Sequence, residues 1–348
     1  MGPARYLFRT VLCLAVVVVA FAANTRAQQL DVRLVTDEAE AVLAVLAKKK
    51  ANEPITQSDW ARVFSSEGYT RLKKRELGME RPFENAEFQK FVLSDDLGQR
   101  AAALEETLAR WKQADVTRSG QWALTYLPAG ARIRAKVYPA IKPRDNSFVF
   151  EVKTDPAIFL YLDPAVTQEK FENTLAHELH HIGYGTSCPS AETSAAIAKL
   201  SAPAQNVLRW IGAFGEGFAM LAAAGGPSVH PHEVSKPDER ARWDRDMKNF
   251  NTDLKKVEDF LTRVSDGKLD GAEMQKHGFG FFGIQGPWYT VGWRMVTLIE
   301  QTYGRKRLIE VMCDQRQLLA TYNRAALDYN RKAKEPLATW SDLLVTLK

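Results

Sequence analysis

His177-Glu178-Leu179-His180-His181 is the stretch on which the reading of this chain turns. His177 and His181 stand four apart. On an α-helix that spacing puts both imidazoles on one face, one turn apart, where they can hold a single zinc ion. Glu178 follows the first histidine, the position from which a carboxylate reaches a water activated by such a metal. The chain has six histidines in 348 residues, and three of them fall within these five positions. The pattern implies metal-assisted hydrolysis with Glu178 as general base. His180 is not counted as a ligand, because i and i+3 align less well here than i and i+4.

The flanking sequence supports a helix at this point. Ala157-Ile158-Phe159-Leu160-Tyr161-Leu162 is a short run of strand formers, and Asp163-Pro164 breaks it. Thr167 or Gln168 can then open a helix through Phe171, Leu175, Leu179 and Ile182, which recur at helical spacing and would face the core. The histidines fall on an adjoining face, and Gly183 and Gly185 read as the stop.

A catalytic zinc usually has three protein ligands and one open position. A third histidine six residues beyond His181 would define the metzincin pattern, but that residue is Ser187. The best candidate is Glu216, in a stretch from Asn206 to Ala222 that reads as a helix rich in small residues. Gly212, Gly215 and Gly217 surround it, each costing about 1 kcal/mol relative to alanine inside a helix. Close approach to the histidine helix would give them a purpose. Glu192, His230 and His232 are the alternatives: the first in a Ser-Ala-Glu-Thr helix start, the others flanking Pro231 in a loop.

Together these segments resemble a family of bacterial secreted proteins described as zinc-dependent peptidases, gluzincin-like in pairing H-E-x-x-H with a downstream glutamate. The family features correspond here to Trp60, Gly68-Tyr69, His177 to His181, Glu216-Gly217 and Tyr289-Thr290-Val291-Gly292. The resemblance spans roughly Asp37 to the carboxyl end. It implies a zincin-like metallopeptidase with zinc on His177, His181 and Glu216. Glu216-Gly217-Phe218-Ala219 is similar to the Glu-Gly-x-Ala around the third ligand of many glutamate zincins. The short-spaced members place that glutamate at positions held here by Leu200 and Ser201. Tyr289 resembles a late tyrosine of that group and is the candidate donor to a developing oxyanion, with His277 and Arg294 as rivals.

The amino terminus reads separately. Arg5 and Arg9 precede an apolar run from Val11 to Ala23, too short for a comfortable span of about 20 residues. Thr25-Arg26-Ala27 offers a small-residue cleavage site. Residues 1–27 thus read as a signal peptide of a secreted or periplasmic protein, with no stable membrane span after cleavage. Its removal takes away three arginines and leaves 44 basic against 42 acidic side chains, a net charge of +2. So small a charge gives no field for nucleic acid. The expected partner is a peptide or protein substrate. Cys188 and Cys313 remain, and an oxidising compartment permits a bridge between them.

Residues 28–120 read as a helical amino-terminal region and 121–348 as the catalytic region. Residues 122–162 turn strand-like around Ile133, Val137 and Phe148-Val149-Phe150, so the expected fold is α+β, mostly helical, with a small sheet ahead of the zinc helix. The segment from His277 to Pro287, with four glycines and three aromatics, reads as a loop bordering the cleft or as an aromatic-packed connector. The competing function is a zinc-binding protein of similar fold without hydrolysis. Glu178 argues against it, since a structural site has no need of a base and is usually closed by four ligands.

Overall fold

The computed structural model describes residues 29–346. The segment read as a signal peptide lies outside the described residues. Among them the fold is α+β and mostly helical, around one four-stranded sheet of order β1-β2-β4-β3. Its strands are β1 (Leu30–Leu34), β2 (Ile133–Ala140), β3 (Phe148–Phe150) and β4 (Ala157–Tyr161). β1, β2 and β4 run parallel, and β3 pairs antiparallel with β4.

A parallel pair needs a crossover. Between β1 and β2 it holds α1 (Asp37–Lys50), α2 (Gln57–Ser65), α3 (Glu67–Gly78), α4 (Asn85–Val92), α5 (Asp95–Trp111) and α6 (Val116–Thr125). After β4 come α7 (Gln168–Ser187), α8 (Ala191–Ala198), α9 (Ala202–Ile211), a 3₁₀ turn (Gly212–Phe214) and α10 (Gly215–Ala224). The chain continues through α11 (Pro237–Lys248), α12 (Phe250–Ser265), α13 (Gly271–Gly280), α14 (Pro287–Cys313), α15 (Leu318–Asn330) and α16 (Asp342–Val345).

The sheet separates two apolar layers by strand alternation. Ile133, Ala135 and Val137 of β2, with Ile158 and Leu160 of β4, join the main core beneath α7. Tyr138, Ala140, Ala157 and Phe159 point the other way, onto Leu72 of α3. Pro139 is tolerated in β2 because β1 pairs only as far as Val137, which leaves that side of the strand without a ladder to feed. Gly68 and Tyr69 lock the amino-terminal helices to one another. A Cβ on Gly68 would lie 2.8 Å from the Cβ of Glu38, and the Tyr69 hydroxyl donates to Asn85 Oδ1 at 2.8 Å.

Four expectations need correction. The amino-terminal region is not helical throughout: Leu30–Leu34 is a strand that pairs residue by residue with Ile133–Val137, across the expected boundary at 120. That boundary also falls inside α6. α7 runs past both glycines to Ser187 and ends where Cys188 leads into Pro189. Gly183 is a packing glycine rather than a stop, since a Cβ there would meet Leu127 Cδ1 at 2.2 Å. The stretch from Asn206 to Ala222 is two helices joined by the 3₁₀ turn. Finally, His277 to Gly280 close α13, and only the remainder up to Pro287 is connector.

Cys188 and Cys313 are bonded, with Cα atoms 4.8 Å apart. The bridge ties the residue after α7 to the last residue of α14, the two helices on which the site depends.

Candidate metal centre

The sequence builds α7 in a fixed orientation. The Thr167 hydroxyl caps it by accepting from the Lys170 backbone N–H at 3.2 Å. Phe171, Leu175, Leu179 and Ile182 are each at most 1% exposed and bury one stripe against the sheet. This turns His177 and His181 toward α10. Asn173, one turn before His177, donates to the Ala223 carbonyl at 2.9 Å and holds the end of α10 against α7.

α10 presents Glu216 to the histidines. His177 Nε2 and Glu216 Oε2 are 3.1 Å apart, His181 Nε2 and Glu216 Oε2 3.2 Å, and the two Nε2 atoms 3.1 Å. The donor atoms form a nearly equilateral triangle. Ligands at about 2.0–2.1 Å around one tetrahedral zinc stand about 3.3 Å apart, so two imidazoles and a carboxylate at this separation fit that ion. The imidazole planes lie at 81° to each other, which aims both nitrogens at a common point from different directions.

Electrostatics at the triangle favour positive charge. Burial opposes ionisation of His181, yet the Glu216 carboxylate outweighs it and pushes His181 up to about 9. Burial would likewise raise Glu216, but His181 and His177 hold it well below the usual carboxylate range. The carboxylate is therefore ionised at neutral pH, and a cation placed between the three groups replaces a shared proton.

Glu178 is partly buried beside the triangle, close enough for its charge to act on both His181 and Tyr289. Among the described residues no hydrogen bond or ion pair engages its carboxylate, unlike that of Glu172 one and a half turns earlier, which binds Arg118. Tyr289, on the first turn of α14, lays its ring parallel to His177 at 6.3 Å. Burial and then the Glu216 charge push its hydroxyl well above the ordinary phenol value, so it stays protonated.

The other candidates lie elsewhere. His180 is 1% exposed and turned into the core, where burial and the two neighbouring histidines push it down to about 3. Glu192 is exposed on α8. His230 engages Asp244 at 3.0 Å, and His232 engages Ser235 at 2.9 Å. His277 is exposed on α13, and Arg294 stacks over Tyr329. Among the described residues, His177, His181 and Glu216 form the one group of three His, Cys, Asp or Glu side chains close enough to share a metal ion.

Sequence reasoning misplaced the purpose of the glycines around Glu216. Gly217 serves α14, not α7: a Cβ there would lie 2.2 Å from the carbonyl carbon of Gly292. Asn173 was not singled out by the sequence, and Phe282, whose ring lies 6.4 Å from Tyr289, entered only as one aromatic of the segment 277–287. Asn173 carries a signal in retrospect, standing one turn before His177 on the same face.

No curated protein and no solved structure matches the chain. A family model described as "Putative zinc dependent peptidase (DUF5700)" matches residues 33–331, and the chain belongs to the family that carries this description.

Proposed function

We propose that this chain is a zincin-like peptidase in which His177, His181 and Glu216 hold zinc. The observation that carries the reading is the donor triangle, assembled from two helices and flanked by Glu178 and Tyr289. When bound, zinc supplies Lewis acidity toward a water and a peptide carbonyl. Glu178 takes the proton of the attacking water on its carboxylate and passes it to the leaving amine nitrogen. The Tyr289 hydroxyl, kept protonated by its surroundings, donates a hydrogen bond to the oxyanion that develops on the carbonyl carbon. The substrate is a peptide or protein rather than a nucleic acid.

Export to the periplasm or medium completes the reading. It is supported by the charged and then apolar segment at residues 1–27 and by the bonded pair Cys188 and Cys313, a pairing typical of oxidising compartments. Digestion of a mixed peptide library by zinc-loaded protein, with and without phenanthroline, tests the activity. Cleavage that phenanthroline abolishes supports it; an undigested library overturns it.

A further inference from the structure

Phe279 and Ile284 are 62% and 77% exposed, the two most exposed large hydrophobic side chains among the described residues. Phe279 lies in the last turn of α13 and Ile284 in the connector that follows it, and Phe279 does not stand alone. The Phe279 ring lies 6.1 Å from Phe282, Phe282 lies 6.4 Å from Tyr289, and Tyr289 lies 6.3 Å from His177. An unbroken track of rings therefore leads from solvent to a candidate zinc ligand. Isolated exposed hydrophobics are ordinary, but a run continuous with a candidate active site marks a place for an apolar ligand.

The connector is held rigidly enough to act as a pocket wall. The Trp288 indole donates to the Gly278 carbonyl at 2.8 Å, which closes the segment on itself. A Cβ on Gly286 would lie 2.6 Å from the Phe281 carbonyl oxygen, so the backbone doubles back tightly there. Gln285, between the two, sits in the left-handed region at φ 58. The base of the segment is thus folded tightly on itself, while Phe279 and Ile284 remain exposed.

We propose that Phe279, Phe282 and Ile284 form the recognition surface for a large apolar side chain of the peptide substrate, so that the enzyme selects peptides with an aromatic or branched aliphatic residue near the cleaved bond. This builds on the peptidase reading above, and a binding measurement separates the two. The test uses the full chain carrying Glu178→Gln, supplied with zinc, so that peptides stay intact. Two uncharged fluorescein-labelled decapeptides differ only in a central Phe-Leu or Ser-Asn pair, and their affinities are read by fluorescence anisotropy. The apolar peptide binds at least about tenfold tighter. Adding Phe279→Ser with Ile284→Ser removes that preference and leaves the affinity for the polar peptide unchanged. Phe279→Leu with Ile284→Val retains it.

Equal affinities in the parent, or a preference that survives the double serine change, overturn the proposal. So does a parent dimer that the serine changes break into monomers, since the patch would then be an interface between copies of the chain. Zinc content measured on the same samples reports separately on the peptidase reading: a metal-free protein that still prefers the apolar peptide contradicts the metal site and leaves the recognition surface standing.

Discussion

Gly217 and Gly292 meet backbone against backbone. A Cβ on Gly217 would fall 2.2 Å from the Gly292 carbonyl carbon, and one on Gly292 would fall 3.2 Å from the Gly217 Cα. This crossing of α10 and α14 relates two short patterns that look independent in sequence. Glu216 precedes the first glycine, and Tyr289 lies one turn before the second. The small-residue contact sets both side chains against the histidines at once.

Gly217→Ala is therefore expected to destabilise the protein by about 1–3 kcal/mol and to weaken zinc binding, because the helices must part. Gly215→Ala is the control. A Cβ there meets nothing within 4 Å, so removing a helical glycine should stabilise by about 0.5–1 kcal/mol. Denaturant unfolding of the two variants checks the pair, and opposite signs are the expected result.

Glu178→Gln should retain zinc and lower peptide hydrolysis by about 10²–10⁴-fold, the usual range for a lost general base. Tyr289→Phe should lower turnover with little change in zinc content. Zinc analysis and turnover on the same preparations separate these effects from loss of the site. Full activity in either variant returns that residue to the scaffold.

How much of this was legible in the sequence follows from how local each determinant is. The histidine pair and Glu178 lie within one helical turn, so their spacing alone fixes their common face. Glu216 is distant in sequence, and ligand count with the unusual glycines pointed to it. The reason for those glycines was not legible, because the partner backbone at Gly292 lies on another helix. Gly183 misled for the same reason: its contacts, Leu127 and Ile133, precede it by some fifty residues. β1 was missed because its partner begins at Ile133, and five residues with one exposed position carry little periodicity of their own. Local chemistry could be read from the chain; close approaches between distant segments could not.

Glu38 makes stability depend on pH. Its carboxyl is 2% exposed, one oxygen accepts from the Ile141 N–H at 3.1 Å, and the other has no partner. Burial, reinforced by Asp37, pushes it from 4.5 up to about 8. Below the unfolded value both states are protonated. Between 4.5 and about 8 the unfolded chain releases a proton that the folded chain keeps, so this contribution to stability is lost as pH rises through that window. Glu38→Gln removes the titration. Relative to the glutamine variant, the natural protein should lose about 1–3 kcal/mol between pH 5 and pH 8. Parallel stability profiles from denaturant unfolding would contradict this.

The central claim is that His177, His181 and Glu216 jointly hold one zinc ion. Crystals of the zinc-loaded protein measured on either side of the zinc absorption edge test it most directly. The account predicts a single anomalous peak bonded to His177 Nε2, His181 Nε2 and a Glu216 oxygen at about 2.0–2.2 Å. A peak on any other set of side chains, or none at the triangle, would contradict it.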